Sequence, residues 1–272
     1  PIMAWAVENN LTPFLTTRVQ SQLPETFNHT FRIIESAEDF YQIDFLLTLG
    51  GDGTMLSAAR AVGHRKTPIL GIHLGELGFM AEVTVDEMFD RLGMVVLGSF
   101  GLQRRMVLKA EIINGNGPSV FYALNDFVID RGRSQRIITM RLLSNDHFVS
   151  DYKADGLIIA TPTGSTAYSL SVGGPIVMPR LKAIVVSPIS PHTLTLRPIV
   201  LPNDRNLEIS FPEDEVEKIA FAVDGQVSEY LQPKDKIFIQ RAPFEIRMID
   251  FEDSNYFQTL RRKMGWGKRG ET

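Results

Sequence analysis

The sequence predicts an α/β domain, a β-rich domain and a short helical tail. Over residues 1–104, strand patterns alternate with helical patterns, which is typical of a small parallel sheet in a Rossmann-like fold. From 105 to 250, strand patterns follow one another with few helical ones, which favours a β-sandwich or a related antiparallel domain. Residues 251–272 form the tail, where apolar side chains share one helical face.

The composition is that of an ordinary globular protein. The chain has 272 residues, of which 44% are hydrophobic and 22% charged, so it can build normal cores and has no disorder signature. Its net charge of −4 argues against a nucleic-acid partner, which usually requires a basic face. The absence of cysteine excludes disulfides, zinc–thiolate sites and a thiol nucleophile. No apolar run reaches the roughly 18 residues that span a membrane and no signal peptide is visible, so we expect a cytoplasmic protein without a membrane partner.

Local patterns predict the elements of the first domain. Residues 1–20 predict a helix. The apolar run 45–49 predicts a buried strand, and the good helix formers after Thr54 predict a helix. A second strand over 68–72 and a helix over 85–97 continue the alternation.

A series of strand-length apolar runs predicts the second domain. Asn114–Gly117 and Asp224-Gly225 are the clearest hairpin signals between them. In the tail, residues 254–266 predict a helix. The strand candidates are Val107–Ile113, Val120–Ile129, Ile137–Leu143, Leu157–Ala160, Ala183–Val186, Leu207–Phe211, Ile219–Val223, Lys236–Gln240 and Glu245–Ile249.

One stretch of the first domain has the form of a phosphate-binding loop. The run Gly-Gly-Asp-Gly-Thr at 50–54 stands between a strand and a helix, where backbone N–H groups point at an anion. It lacks the Gly-Lys-Ser/Thr ending of a P-loop, and Leu56 occupies the third glycine position of the dinucleotide fingerprint. The loop therefore matches neither of the two common phosphate motifs.

The loop has an acid, Asp52, at its centre. A carboxylate beside phosphates is repelled unless it binds a metal cation or takes a proton from a nucleophile, and both roles belong to phosphoryl transfer. The alternative is a strand-to-helix turn in which Asp52 caps the helix. Local features leave both interpretations open.

Three polar stretches are candidates for a ligand site. The strand Leu157–Ala160 opens into a run of small hydroxyl residues and glycines, where Tyr168 could stack on a base; a flexible linker is the alternative. Asn125-Asp126 inside a β pattern could grip a ribose diol or form a bulge. The loop Gly71–Phe79 would face the same crevice as the glycine loop, since ligands gather at the carboxyl ends of parallel strands.

Taken together, these stretches resemble the NAD kinase family over residues 45 to 266. Lipid kinases and phosphofructokinases carry similar glycine–aspartate loops, so the discriminating stretch is Asp155–Pro175, which looks like the NAD kinase signature almost throughout. Further stretches that agree in order are Leu77-Gly78-Phe79, Asn125-Asp126, Pro191–Leu194 with Arg197-Pro198, Asp224-Gly225-Gln226, and Tyr256-Phe257 to Gly265-Trp266.

The resemblance implies an enzyme that phosphorylates the 2′-hydroxyl of the adenosine ribose of NAD. Its ligands would be NAD, ATP and magnesium or another divalent metal, and its assembly a homodimer or homotetramer. It also implies that the second domain is a β-sandwich and that the tail packs back on the first domain. The sequence leaves open whether ATP or inorganic polyphosphate is the donor.

The resemblance also implies roles for individual residues. Asp52 would be the general base, and Phe79 would pack on the adenine. Asn125 and Asp126 would bind the ribose and nicotinamide side. The phosphate- or nucleotide-binding residues would be Gly50, Gly51, Gly53 and Thr54. The remaining dinucleotide-binding residues would be Arg136, Lys153, Asp155, Thr166, Ala167, Tyr168, Ser169, Leu170, Ser171 and Gln226.

Two positions depart from the family pattern. His73 stands where Asn is usual, which puts a contact from that loop in doubt. Lys153 stands where Arg is frequent, which removes a bidentate fork.

Two other functions compete with the NAD kinase hypothesis. A lipid kinase with the same loop would need an apolar acyl pocket and would lack the hydroxyl run Thr161–Ser171. A non-catalytic NAD(P)-binding sensor would gain nothing from a carboxylate near phosphates.

Overall fold

The computed structural model describes residues 1–75, 77–114, 117–212, 219–251 and 255–266. Four predicted features lie partly outside these residues. They are the loop Gly71–Phe79 at residue 76, one hairpin turn at Gly115-Asn116, the predicted start of the tail helix at Ser254, and the tail at 252–254 and 267–272. In the described part of the chain, no helix is long and apolar enough to cross a membrane.

The N-terminal part of the chain alternates strands and helices, as predicted. Its elements are α1 (Ile2–Glu8), β1 (Phe14–Thr16), α2 (Thr17–Gln20), β2 (Arg32–Ile34), β3 (Leu46–Leu49), α3 (Asp52–Val62), β4 (Ile69–His73), β5 (Val83–Thr84) and α4 (Met88–Val96). The strands β3, β4 and β5 pair in parallel. The side chains of α3 and those of α4 belong to two separate apolar clusters, each of which includes residues of β4.

The predicted helix over residues 1–20 is wrong between residues 9 and 16, and helix resumes only at α2 (Thr17–Gln20). Helix α1 ends at Glu8, and Asn10 takes a left-handed conformation with φ at 56°. Pro13 follows, and a proline inside a helix lacks the donor N–H and clashes with the preceding turn. The chain continues as β1, which pairs in parallel with β2 in a separate two-stranded sheet.

The second half is a β-sandwich of two facing sheets. Its strands are β6 (Gly101–Asn114), β7 (Gly117–Ala123), β8 (Asp126–Asp130), β9 (Ile138–Ser144), β10 (His147–Ala154), β11 (Gly156–Ala160), β12 (Ala183–Ile189), β13 (Ile199–Pro202), β14 (Leu207–Ser210), β15 (Ile219–Val223), β16 (Val227–Leu231) and β17 (Lys236–Asp250), with a short helix α5 (Tyr168–Ser171) after β11. One sheet has the order β13-β12-β11-β8-β15-β16, and the other contains β10-β9-β14-β17 with β6 and β7.

The main core lies between these two sheets. Phe127 of β8 stacks on Phe221 of β15 with ring centroids 5.3 Å apart, and both are fully buried. Strand β11 is buried along its whole length, which explains the uninterrupted apolar run in its sequence.

One long strand joins the sandwich to the α/β unit. The predicted strands Lys236–Gln240 and Glu245–Ile249 form a single strand of 15 residues, β17. Its first part pairs with β14 and β6, and Met248 near its end pairs in parallel with Ile69 of β4. The two units therefore share one continuous sheet, and β6 runs through the predicted domain boundary at 104–105.

Three strands of the sandwich escaped the sequence prediction, β10, β13 and β16, as did the short strands β1, β2 and β5 of the first unit. The three sandwich strands lie at the edge of a sheet. Strands β10 and β16 carry the polar and charged residues that limit further pairing at an edge, whereas β13 is apolar but only four residues long and ends at Pro202. The predicted strand Val120–Ile129 is also two strands, β7 and β8, with a break at Leu124-Asn125.

The tail forms helix α6 (Tyr256–Met264) and returns to the first domain. Asn255 caps it by accepting the N–H of Phe257 at 3.0 Å. Of the predicted apolar face, Leu260 is buried, but Phe257 is 55% exposed. The ring of Tyr256 lies 6.4 Å from that of Phe79, which brings the tail beside the loop that follows β4.

Candidate active site

The glycine loop connects β3 directly to α3, and Asp52 is the first residue of that helix. Its two carboxylate oxygens accept the backbone N–H groups of Phe79 and Met80, at 2.9 and 3.0 Å. Gly78 makes this approach possible, because a Cβ added there would lie 2.8 Å from the Asp52 Cγ. The loop after β4 therefore fixes the orientation of the carboxylate.

The helix-cap interpretation of Asp52 is wrong. The N-cap of α3 is Gly51, and no side chain makes a capping hydrogen bond there. The carboxylate instead binds the neighbouring loop, while its charge still lies at the positive end of the helix dipole. Each oxygen accepts one N–H and has room for a second hydrogen bond, so the acid can still meet a ligand.

A turn of the sandwich reaches this helix. The side-chain amide of Gln226 donates to the carbonyl of Gly53 at 3.2 Å, and Ser57 donates its hydroxyl to the Gln226 Oε1 at 3.4 Å. The residue after Asp52 is thus in contact with the second unit of the fold. Gln226, predicted to bind the dinucleotide, has its carboxamide directed at α3 in this structure.

The same turn holds the break between β7 and β8. The Asp224 carboxylate accepts the N–H groups of Leu124, Asn125 and Asp126, at 3.1, 2.7 and 3.1 Å. Asp224 and Gly225 take φ values of 50° and 62°, as the central residues of a type I′ turn do, and the Gln226 N–H donates to the Val223 carbonyl at 3.0 Å. The strand register leaves three residues, 224–226, between Val223 and Val227, and the predicted hairpin turn is confirmed. The sequence predicts Asp224 in this turn and in the family pattern, but it does not predict the buried contacts of its carboxylate.

The hydroxyl-rich stretch packs directly on Asn125. Thr161 donates its N–H to the Asn125 carbonyl at 2.8 Å and its hydroxyl to the Leu124 carbonyl at 2.6 Å. The Thr161 hydroxyl in turn accepts the N–H of Gly164 at 3.1 Å. The polar pair at 125–126 and the stretch after β11 are therefore parts of one structure, and neither is a flexible linker.

Two of the predicted donors in this stretch face inward. The Ser165 hydroxyl donates to the Pro162 carbonyl at 2.7 Å. The Ser169 hydroxyl lies 2.9 Å from that of Ser187, and both residues are fully buried. Ser169 is 0% exposed as a whole residue, so neither its hydroxyl nor its backbone is open to the dinucleotide contact predicted for it.

Other residues of this stretch face outward. Tyr168 is 44% exposed, Ser171 is exposed, and Thr166, Ala167 and Leu170 are half-buried. They lie at the same end of β11 as Asn125 and Asp126, so a ligand can contact both groups.

Three other predicted residues lie at the opposite end of β11. In the register of the sheet, Ala160 pairs with Asp126, whereas Gly156 pairs with Asp130. These ends are four residues apart, which corresponds to about 14 Å along a strand. Asp155 immediately precedes Gly156.

The opposite end has its own polar cluster. The Asp155 carboxylate forms an ion pair with the Arg131 Nε at 2.9 Å. The Lys153 carbonyl accepts the N–H of His192 at 2.9 Å, and the Arg136 N–H donates to the Ser134 hydroxyl at 3.0 Å. The structure thus divides the predicted dinucleotide site within one chain into two groups.

Two acids close together in the site have perturbed pKa values. Burial raises the pKa of Asp126 to about 7, and the neighbouring Asp224 carboxylate adds to the rise. The pKa of Asp224 is also raised, chiefly by burial, while its three backbone hydrogen bonds and the charge of Arg60 act to lower it. Asp126 therefore titrates close to neutral pH.

The free energy of unfolding of Asp126→Asn, relative to that of the wild type, is expected to increase as pH rises. In the wild type, the pKa of Asp126 goes from 3.8 to about 7 on folding, so the native state binds more protons between these values. The free energy of unfolding then falls as pH rises from about 4 to about 7. Asparagine removes this loss, so urea unfolding should favour the variant more at pH 8 than at pH 5. An equal difference at both pH values would contradict the assignment.

Two cavities lie near the site. A polar cavity of about 440 Å³ has Leu77, Arg105 and Thr259 in its wall, and no predicted site residue is among the described residues that line it. A smaller one of about 240 Å³ opens between α3 and the sandwich, with Arg60 and Asp224 in its wall. The smaller cavity is therefore the one that adjoins the junction of the two units.

The structure joins an α/β unit to a β-sandwich, and the phosphate-type loop of the α/β unit presents a single carboxylate beside the sandwich. This arrangement is that of a nucleotide phosphotransferase. Comparison with known proteins gives the family. Models of the ATP-NAD kinase N-terminal domain and the ATP-NAD kinase C-terminal domain match residues 7–100 and 124–251. The chain belongs to the NAD kinase family and is an enzyme of that family.

Individual relatives agree with the family models. The chain is 39% identical over 269 residues to the NAD kinase of Geotalea daltonii, covering 98% of this chain and 93% of the relative. It is 44% identical over 227 residues to the NAD kinase of Geobacter metallireducens, covering 83% and 80%. These matches support neither the lipid kinase nor the sensor alternative.

Two solved structures share the fold. Yeast NADH kinase complexed with NADH superposes with a TM-score of 0.88 at 26% identity, over 98% of this chain and 85% of the other. An NAD kinase from Archaeoglobus fulgidus in complex with ATP superposes with a TM-score of 0.72 at 25% identity, over 86% and 88%. The predicted combination of α/β domain and β-sandwich is confirmed.

Proposed function

We propose that this enzyme transfers the terminal phosphoryl group of ATP to the 2′-hydroxyl of the adenosine ribose of NAD, which yields NADP and ADP. The observation that carries the site assignment is the Asp52 carboxylate, fixed by two loop N–H groups beside the sandwich turn at Gln226. NADH and ATP in the complexes of the two structural relatives support the two substrates.

In this proposal Asp52 is the general base. A ribose hydroxyl is a poor nucleophile at neutral pH, and a carboxylate within hydrogen-bond reach can take its proton as the bond to phosphorus forms. The proton moves to a free lone pair of Asp52, the ribose oxygen attacks the γ-phosphorus, and the bond from that phosphorus to ADP breaks. The N–H groups of Phe79 and Met80 hold the carboxylate in one orientation during this step.

The glycine loop is proposed to bind the phosphates of the donor. The first N–H groups of a helix have no acceptor within it and lie at the positive end of its dipole. At the start of α3 these groups belong to Asp52 and Gly53. Gly50, Gly51 and Thr54 complete the loop through which the backbone approaches the phosphates.

A magnesium ion fits this arrangement as a partner of ATP. Among the described residues, no three His, Cys, Asp or Glu side chains are grouped to hold a metal. Magnesium bound with a nucleotide needs only one or two carboxylates, since waters and phosphates supply its other ligands. Asp52 would be that carboxylate, and the ion would neutralise charge on the phosphates.

The dinucleotide is proposed to lie at the junction of the two units. Asn125, Asp126, Thr166 and Tyr168 would bind it together with Phe79, helped by Ala167, Leu170 and Ser171. The crystal structure of a complex with NAD checks this placement. A dinucleotide found far from Asn125 and Tyr168 would refute it.

Residues Arg136, Lys153 and Asp155 are proposed to serve the site of a second copy of the chain. They lie about 14 Å along β11 from Asp126, so one dinucleotide near Asp52 does not readily reach both ends of that strand. An oligomer formed through the sandwich would bring the far end of one copy to the near end of another. It would also cover sheet edges that are open in the single chain.

We therefore expect an active sample to be a homo-oligomer. Light scattering at micromolar concentration should give at least twice the 30.5 kDa of one chain. Asp155→Ala should weaken NAD binding while leaving the oligomer intact. A fully active species with the mass of one chain would contradict this expectation.

The reaction itself is tested by incubating the protein with NAD, ATP and magnesium and measuring NADP. Parallel samples with polyphosphate as donor, NADH as acceptor, or diacylglycerol as acceptor distinguish the donor, the acceptor redox form and the lipid kinase alternative. Binding of NAD without formation of NADP under any donor would favour a sensor instead.

A further inference from the structure

The hairpin turn between β15 and β16 does more than reverse the chain. A type I′ turn needs residues that tolerate positive φ, which Asp224 and Gly225 supply. Such a turn does not need a buried carboxylate, and turn residues are normally exposed. Asp224 is nevertheless only 9% exposed, and its side chain points into the protein.

The carboxylate of Asp224 anchors an irregular piece of backbone. Between β7 and β8 the ladder is interrupted, and the N–H groups of Leu124, Asn125 and Asp126 all bind the two oxygens of this one side chain. The N–H of Asp224 donates in return to the Asp126 carbonyl at 3.0 Å. Buried backbone donors must find acceptors, and here a single residue satisfies three of them.

The next residues of the turn reach the other unit of the fold. Gln226 donates to the Gly53 carbonyl and accepts from the Ser57 hydroxyl, so it contacts the first two turns of α3. Gly53 is bonded directly to Asp52. One turn of three residues therefore connects the segment at 124–126 with the helix that carries the carboxylate.

We propose that the Asp224–Gln226 turn is a positioning element that sets Asn125 and Asp126 at a fixed distance and orientation from Asp52. Through it, a dinucleotide held by the sandwich would present its ribose hydroxyl to the base on α3. The inference rests on the proposed function for its kinetic consequence. Asp224 is thus a positioning residue, because its buried carboxylate accepts three backbone N–H groups and acts on the site through that backbone.

The charges around the turn provide a further measurement, the pKa of Asp126, which a purely structural role of Asp224 would not change. The charge of Arg60 on α3 lowers the pKa of Asp224, and the Asp224 carboxylate in turn raises the pKa of Asp126 in the sandwich. Asp224→Asn removes the negative neighbour of Asp126, so the pKa of Asp126 should fall. Any pH dependence of NAD affinity that Asp126 controls should then shift to lower pH in the variant.

The test compares Asp224→Asn and Gln226→Ala with a matched control, Asp235→Asn. Asp235 is another buried turn aspartate, 4% exposed, and lies in a different turn. Its carboxylate accepts the Gln232 N–H in a hydrogen bond of 2.9 Å. In Asp224→Asn, amide hydrogen exchange at 124–126 should accelerate. Small misplacements of reacting groups can lower a rate by about 10²-fold, so kcat/KM for NAD should fall about ten- to a hundredfold in Asp224→Asn. The fall should be smaller in Gln226→Ala. In both variants the KM for ATP should change much less.

The outcomes separate this inference from the proposed function. A wild type that makes no NADP defeats the proposed function, and amide exchange still tests the anchor. An active wild type whose Asp224→Asn and Gln226→Ala variants keep kcat and the KM for NAD overturns the positioning role. If Asp224→Asn does not fold, Gln226→Ala decides, because Gln226 is exposed and its loss should not prevent folding. Asp235→Asn should lose stability without any change in kcat or KM.

Discussion

Asp52→Asn is expected to lower NADP formation by about 10²–10⁴-fold, which is the usual contribution of a general base. A carboxamide cannot take the proton of the ribose hydroxyl and is a poorer ligand for magnesium than a carboxylate. Loss of both roles should bring the effect toward the upper end of this range. NAD affinity should be unchanged or higher, because a negative charge has left the neighbourhood of the pyrophosphate.

The fold should survive this substitution. Asparagine keeps one oxygen, which can still accept the N–H of Phe79 or Met80, so one of the two loop contacts is retained. Loss of the other should destabilise the protein by about 1–3 kcal/mol. Calorimetric NAD affinity, steady-state NADP formation and thermal unfolding of both proteins give the comparison.

Asp90→Asn is the matched control for this variant. Asp90 also lies in the first turn of a helix, α4, but is exposed and distant in sequence from the glycine loop. It should keep wild-type turnover and binding. If Asp52→Asn retains more than about a tenth of wild-type turnover, the loss is below that of a weak general base and the catalytic assignment is wrong.

Gly164→Ala should cost about 3 kcal/mol or more of the free energy of unfolding. An added Cβ would meet the Asn125 carbonyl oxygen and lie 2.5 Å from its carbonyl carbon and 2.7 Å from its Cα. Overpacking against side chains typically costs about 1–3 kcal/mol, and backbone atoms cannot move away by changing rotamer. Because Asn125 must shift, NAD affinity should fall as well.

Gly93→Ala is the matched control, because it makes the same glycine-to-alanine change at an uncrowded position. Gly93 lies inside α4, and apart from its chain neighbours and the backbone of its own helix, a Cβ added there would have no heavy atom within 4 Å. Alanine favours a helix over glycine by about 1 kcal/mol, so this variant should be more stable than the wild type. Denaturant unfolding of both variants provides the measurement, and a Gly164→Ala protein as stable as the wild type would contradict the close packing seen here.

Local sequence patterns predict much of the fold. Strands β3, β4 and β11 are short apolar runs bounded by turn residues, and the glycine loop between β3 and α3 is visible directly. The family signature at Asp155–Pro175 is likewise contiguous, so no knowledge of distant contacts was needed to find it. The edge strands β10 and β16 were missed because polar residues break their apolar runs, and β13 because it has only four residues.

The sequence by itself determined the two-part architecture, the family, and the identity of Asp52 as the acid at a phosphate-type loop. Only the tertiary structure decided how these parts meet. It directs the Asp52 carboxylate to the N–H groups of Phe79 and Met80, turns the Ser169 hydroxyl inward, and separates Asp155 from Asp126 by the length of a strand. It also gives Asp224 three backbone partners about a hundred residues away in the chain. Local propensity does not encode such contacts, because they depend on the register and packing of strands distant in the sequence.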